Sequence, residues 1–333
     1  MTTTGITRRH ACLAAAAAAL LPASRAAMAQ QAYPSKPIRM VIPFPPGGST
    51  DVLGRAIGIE LGRAWHQPVV VDNLPGAGGS IGADKVAKSP ADGYTLLMGH
   101  IGTLAINPSL YPKLDYDPVR SFAPVAWVAR VPNVLVVHSS VPARTLADLV
   151  ALAKARPGQL AFGSGGNGSA AHIATEYLKL QTGASLLHVP YRGTAPAVTD
   201  LLAGQLQLLF TGAPALLPHI KSGKLRALAV SSPKRIALLP DVPTVAESGV
   251  PGTKDFEADQ WYGVVAPAGT PADIVAMLNR QINQSLNTAD VHARLAAEGA
   301  EPTPTTPQAF GQLIASEMKR WDRVIKSAHI TVD

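Results

Sequence analysis

The chain has 333 residues, 47% of them hydrophobic, 15% charged and 5% aromatic, with 29 Gly, 29 Pro, one Cys and a formal charge of +7. That is too apolar and too weakly charged for a disordered chain, and a single cysteine excludes an internal disulfide, a disulfide scaffold and a cysteine-rich zinc module. The length allows one large domain or two ordinary ones.

The first feature along the chain is Thr7-Arg8-Arg9-His10-Ala11-Cys12-Leu13, which leads into an apolar run over 11–22 and then Ala27-Met28-Ala29. Paired arginines, a short apolar stretch and a small-x-small site read as a signal peptide over 1–29, for twin-arginine or general secretory export to the periplasm. The run is too short to cross about 30 Å of hydrocarbon. Cys12 lies at the start of the run instead of after it, which excludes a lipoprotein. Cleavage after Ala29 removes Arg8, Arg9 and Arg25 but no acid, so the charge falls from +7 to +4, and the only cysteine goes too. The mature chain is expected to be soluble and periplasmic, and its dispersed basic residues argue against nucleic acid as a partner.

Beyond the leader, short β-branched runs alternate with helical patterns. Strands are predicted over 38–43, 69–72, 95–98, 125–129, 134–138, 160–163, 187–189, 206–211, 226–230 and 263–266. Helices are predicted over 50–65, 81–88, 146–154, 169–181, 195–203 and 272–287. Strand followed by helix, repeated with short connections, is the α/β pattern of parallel sheets buried on both faces. Pro132 interrupts the extended stretch 125–138, and 260–266 is extended again. The chain is therefore expected to cross between domains near 132 and 257. Domain 1 would comprise 30–132 and 258–333, with an inserted domain 2 over 133–257.

Chemistry is concentrated in four glycine-rich turns between strands and helices. They are Pro45-Pro46-Gly47-Gly48-Ser49-Thr50-Asp51, Pro75-Gly76-Ala77-Gly78-Gly79-Ser80, Gly163-Ser164-Gly165-Gly166-Asn167-Gly168-Ser169 and Tyr191-Arg192-Gly193-Thr194. Each ends on Ser or Thr at an expected N-cap, after glycines that admit a ligand to the backbone. Helix N-termini suit a small anion such as a carboxylate. One such loop is as well explained by ordinary capping, whereas four from both expected domains favour a shared cleft at the carboxyl ends of the strands.

Two enzyme motifs compete with this reading. Residues 163–168 fit G-x-G-x-x-G after a strand, but no Asp or Glu lies between Glu176 and Asp200 to hold a ribose, so a nicotinamide cofactor is not expected. Gly78-Gly79-Ser80-Ile81-Gly82 fits G-x-S-x-G, yet the loop 73–79 separates Ser80 from its strand, unlike a nucleophile elbow. A periplasmic serine hydrolase using Ser80 or Ser164 is the alternative function, because triad order in sequence is free. Histidines are scattered, so no metal and no cofactor are expected. His172, in the first turn of its helix, is read either as a contact to a bound anion or as a satisfied structural residue. Trp261 and Tyr262 are read as cleft lining or as interface core.

Taken together, Pro43-Phe44-Pro45-Pro46-Gly47-Gly48-Ser49-Thr50-Asp51, Asn73-Leu74-Pro75-Gly76-Ala77-Gly78-Gly79-Ser80-Ile81-Gly82, Val189-Pro190-Tyr191-Arg192-Gly193 and Leu239-Pro240-Asp241-Val242-Pro243-Thr244 resemble the Bug-type receptors of tripartite tricarboxylate transporters. The resemblance covers about 33–333, including the segment 261–271 and a helix over 310–325. It implies a two-domain α/β fold like that of type II periplasmic binding proteins, with the cleft between domains and two chain crossovers. It further implies capture of a small carboxylate-containing ligand without chemistry, by a monomer that serves membrane permease subunits or a sensing system.

The contacts it implies are Phe44, Gly48, Ser49, Thr50, Asp51, Ala77 and Gly78 on one side. On the other are Ser164, Ser169, His172, Tyr191, Gly193 and Thr194. Asp51 is read as a cap on its own helix or, with Asp200, as the partner of a ligand amine. Two departures, Gln207 and Ser121 at positions where the family commonly carries an acid, lie outside the ligand loops.

Overall fold

In the five residues of β1 (Ile38–Ile42), Ile, Met and Val side chains are almost wholly buried, as a central strand requires. It lies between and parallel to β2 (Val69–Asn73) and β3 (Thr95–His100). Helices α1 (Ser49–Trp65) and α2 (Ser80–Ala87) follow β1 and β2. A π-turn, Gly102–Ile106, runs from β3 into the short helix α3 (Asn107–Leu110). The computed structural model describes residues 33–332, so the expected leader lies outside the described residues.

β4 (Phe122–Val131) ends one residue before β5 (Asn133–His138), and the chain changes sheets at Pro132. The second sheet then gains α4 (Leu146–Ala155), β6 (Ala161–Ser164), α5 (Ala170–Thr182), β7 (Leu187–Pro190) and α6 (Thr194–Leu202). β8 (Leu208–Gly212), α7 (Leu217–Lys221) and β9 (Leu225–Val230) complete it. The chain returns to the first sheet with β10 (Gln260–Pro267), followed by α8 (Ala272–Ser285), α9 (Ala289–Ala297), β11 (Glu301–Pro302) and α10 (Pro307–Ser327).

The six-stranded sheet has the order β11-β4-β10-β3-β1-β2 and the five-stranded sheet β7-β6-β8-β5-β9. Wholly parallel sheets were expected; both are mixed. β10 runs antiparallel to β3 and β4, and β5 antiparallel to β8 and β9. These are the strands that carry the chain between sheets, and no crossover helix sets their direction as it does within a βαβ unit.

β5 shows how the second sheet is covered on both faces. Leu135 and Val137 join a core cluster with Phe162, Phe210, Val41, Leu97 and Trp321, whereas Val134 and Val136 pack with Ala197, Leu201 and Leu209. Helix α10 buries Phe310, Ile314, Trp321 and Val324 along one stripe. Its Trp321 ring meets Tyr177 of α5 edge-on at 5.8 Å, so the C-terminal helix touches elements of both sheets. Among the described residues no helix is long and apolar enough to cross a membrane.

Candidate functional site

At the carboxyl ends of β1, β3 and β6, loops from both sheets converge on a cleft of about 210 Å³. From the first sheet come Phe44, Gly78, His100, Gly102, Asn107, Leu110 and Tyr111; from the second come Gly165, Asn167, Gly168, Ser169 and Ala170. None of these is Asp, Glu, Lys or Arg. A cavity of about 750 Å³ lies elsewhere, between α8 and the start of α10, but its walls belong to the first sheet alone and include none of the glycine-rich turns. We therefore take the smaller cleft as the site.

The turn after β1 is held by Asp51, which is 5% exposed. Its carboxylate accepts from Gly47 N–H at 3.0 Å, from Arg55 Nε at 3.0 Å and from Asn73 Nδ2 at 3.0 Å. Burial alone would raise its pKa, but the hydrogen bonds from Arg55, Gly47 and Asn73 outweigh it and hold the carboxyl below its usual value. Asn73 Nδ2 also donates to Phe44 O at 3.0 Å, which fixes Phe44 at the cleft edge. Asp51 therefore braces the turn and has no free lone pair aimed at a ligand amine. Asp200, the other amine candidate, accepts from Tyr191 Oη at 2.6 Å.

The expected caps are corrected in three of the four turns. Gly48, Gly79 and Gly193 occupy the N-cap positions of α1, α2 and α6 with no side-chain cap bond, and Ser49, Ser80 and Thr194 begin the helices proper. Only Ser169 caps as expected, its Oγ accepting from His172 N at 3.3 Å. Ser49 Oγ instead donates to Glu298 Oε2 at 2.6 Å, so a carboxylate of this chain stands at the start of α1. Thr50 is buried beside it.

Behind the Gly-Ser loop stand two histidines stacked face to face. The His172 and His188 rings are 3.8 Å apart with an 8° tilt, and His188 stacks on Phe162 at 4.8 Å. His172 Nδ1 accepts from Gly168 N–H at 3.1 Å and its Nε2 lies 3.8 Å from Glu176, so both ring nitrogens face the protein. Burial, the neighbouring His188 and Lys179 push the His172 pKa down to about 3; burial and Lys179 push His188 down to about 4. Both rings are neutral at pH 7. Ser164 Oγ lies 2.6 Å from His188 Nε2 and accepts from Gly166 N at 3.1 Å.

The turn 191–194 supports the same loop. A Cβ on Gly165 would meet Thr194 Oγ1 at 3.4 Å, and one on Gly166 would meet Tyr191 O at 3.2 Å. Burial and then Asp200 push the Tyr191 hydroxyl up to about 12.

Polar contacts lead from the cleft floor to the sheet crossovers. His100 packs edge-on against Phe44 at 5.6 Å and lies opposite Tyr262 in the β3–β10 register. Its Nδ1 accepts from Gly102 N–H at 3.0 Å, which leaves Nε2–H to face Gln260 Oε1 at 3.4 Å. Burial holds His100 at a pKa of about 4 against the opposing effect of the Gln260 bond. Gln260 Nε2 donates to Asn133 Oδ1 at 2.9 Å, and Asn133 Nδ2 donates to Ala258 O at 2.7 Å.

Of the residues expected at the site, Phe44, Gly78 and Ser169 line the cleft. Ala77 lines a neighbouring cavity, and Gly48, Ser49, Thr50, Asp51, Ser164, His172, Tyr191, Gly193 and Thr194 are outside the cleft lining. Of these, Asp51, Ser164 and His172 hold the turns in place through the hydrogen bonds given above. Sequence reading missed His100, Asn107 and Tyr111. Ending β3 at 98 left His100 in a loop, although it closes the strand at its carboxyl end, where the cleft lies.

The hydrolase alternative loses its geometry. Ser80 accepts from Asn107 Nδ2 at 3.0 Å. Ser164 is 0% exposed, and its partner His188 is stacked against His172 and Phe162 with no carboxylate bonded to it among the described residues.

Residues 53–330 match the family described as "Tripartite tricarboxylate transporter family receptor". Protein BugT of Bordetella pertussis is 46% identical over 295 residues, covering 88% of this chain and 90% of that protein. The structure "R. palustris Rpa4515 with adipate" is 40% identical with a TM-score of 0.79, covering 90% of this chain and 100% of that one. "MatC (Rpa3494) from Rhodopseudomonas palustris with bound malate" is 33% identical with a TM-score of 0.74, covering 88% and 100% of the two chains.

Proposed function

The chain belongs to the tripartite tricarboxylate transporter family of receptors, and from that premise we propose that its cleft captures a small dicarboxylate in the periplasm without altering it. The observation that carries the reading is a cleft lined from both sheets by glycines, neutral polar side chains and the apolar Phe44, Leu110 and Ala170, with no Asp, Glu, Lys or Arg among them. A carboxylate held there meets oriented N–H groups and hydroxyls instead of a cation. Its volume of about 210 Å³ is below the roughly 300–1,000 Å³ of drug-sized sites, which suits a compact acid. The relatives solved with adipate and malate support a dicarboxylate.

In this reading the chain works as two lobes, one around each sheet. The first comprises 36–132 and 258–332, the second 133–257. They hinge where the chain changes sheets, at Pro132 and beside Trp261, and closure brings the Gly-Ser loop against Phe44 and Gly78. Asp51, His172, Ser164 and Tyr191 hold the loops in their binding shape. The leader over 1–29 supports export, and the family supports delivery to permease subunits; the receptor is proposed to act as a monomer.

The reading is tested by thermal-shift screening of small mono- and dicarboxylates against the mature chain. Capture by the folded state raises the melting temperature with ligand concentration. A panel that leaves it unmoved contradicts the reading.

A further inference from the structure

The cleft adjoins a second cavity of the same size, about 210 Å³, and Tyr111 lines both. Two segments tied by one buried side chain form the partition. Asn107, 3% exposed, donates to Gly78 O and to Ser80 Oγ at 3.0 Å each, and Tyr111 N–H returns to Asn107 O at 2.9 Å. The Tyr111 ring lies so close to Gly78 that a Cβ there would stand 2.8 Å from the phenol oxygen. The opposite wall of the cleft is the Gly-Ser loop, and its floor is His100 backed by Tyr262. Tyr111 is thus a side-chain wall with a second cavity directly behind it.

We propose that Tyr111 is the specificity-determining wall of this site, setting the greatest length of acid that the cleft accepts, with the cavity behind it as the room a longer chain would fill. The inference rests on the carboxylate-capture reading given above. The chemistry of the rear cavity says which longer acids would gain. Ile81 and Leu114 give it apolar surface, and its charges leave no cation spare, since Asp84 is paired with Lys88 at 2.7 Å and Asp115 balances Lys113. An uncharged alkyl tail is therefore accommodated better than a second carboxylate. With Tyr111 in place the cleft accepts compact acids and excludes long-chain ones.

The test compares wild type, Tyr111→Phe and Tyr111→Ala by calorimetry against two series, butanoate to decanoate and butanedioate to decanedioate. Tyr111→Phe keeps the wall and is expected to keep the wild-type length optimum. Tyr111→Ala is expected to move the optimum to longer acids. Each methylene newly buried should add roughly fourfold in affinity, more for the monocarboxylates than for the dicarboxylates. Leu114→Trp added to Tyr111→Ala refills the rear cavity and should cancel the gain. If Tyr111→Ala does not melt cooperatively, Tyr111→Leu, which keeps apolar packing but shortens the wall, is read the same way.

An unchanged length order in a folded Ala or Leu variant overturns the role of Tyr111 while leaving capture intact. An equal shift in Tyr111→Phe overturns it too, since the hydroxyl would then be the determinant. A wild type that binds no member of either series overturns both the wall and the function it serves.

Discussion

Asn133 and Gln260 are 127 residues apart in sequence, yet Gln260 Nε2 donates to Asn133 Oδ1 at 2.9 Å where the chain changes sheets in both directions. Asn133 is 0% exposed and also holds Ala258 O, while its own N–H is held by Ser231 Oγ. The same Gln260 faces His100 on the cleft floor, so the crossover and the site share one set of polar contacts.

Asn133→Leu is expected to lower stability by about 2–3 kcal/mol, because it leaves Ala258 O buried without a partner and takes the acceptor from half-buried Gln260 Nε2. Urea unfolding measures this. A loss below about 0.5 kcal/mol, the scale of an ordinary surface change, would mean the contact does not brace the crossover.

Acid should loosen the Gly-Ser loop. His172 and His188 have folded pKa values of about 3 and 4 against 6.5 for the free side chain, so between those values the unfolded chain binds more protons than the folded one. Their contribution is complete above pH 6.5 and is lost as the pH falls towards 4 and 3. Protonation of His172 Nδ1 also removes the acceptor of Gly168 N–H. Asp259 acts in the opposite sense: burial pushes its carboxyl from 3.8 to about 7, so its contribution is lost as the pH rises through that window. The difference in melting temperature between wild type and His188→Phe isolates the His188 contribution, and it should shrink as the pH falls from 6.5. A difference independent of pH would contradict the neutral stack.

Affinity for the carboxylate should depend weakly on salt. With no Lys or Arg lining the cleft, binding should change by less than about twofold between low salt and about 0.5 M. A loss of tenfold or more would point to a cation at the site.

Gly78 has φ of +61°, and a Cβ there would press on Tyr111 Oη at 2.8 Å. Gly78→Ala is expected to cost about 1–2 kcal/mol in stability, from left-handed strain, and to weaken ligand binding as well. Wild-type values for both in paired melting and calorimetry would show that the loop tolerates the methyl.

The alternation of β-branched runs with amphipathic helices made the α/β class legible, because each buried strand carries its own apolar signature. Strand direction was not legible: nothing local in 125–138 or 260–266 tells an antiparallel continuation from a crossover. The glycine-rich turns were legible as the site's scaffold, and Phe44, Gly78 and Ser169 do line the cleft. Their neighbours were harder to sort. Ser49 lies in a loop that reads as an anion site, and its hydroxyl meets Glu298, 249 residues away. His172 reads as either a contact or a structural residue, and it packs against the rings of His188 and Phe162. Such roles depend on what packs behind a loop, which spacing along the chain does not encode.

Calorimetric titration of the panel dicarboxylate that most raises the melting temperature, into the mature wild-type chain and into Ala170→Trp, tests the central claim most directly. Ala170 lines the cleft at the first turn of α5, and an indole there fills much of the about 210 Å³ available. The account expects one-site binding to wild type, and no measurable binding to an Ala170→Trp protein that melts as wild type does. Equal affinity in the two proteins, or no heat from wild type, would contradict it.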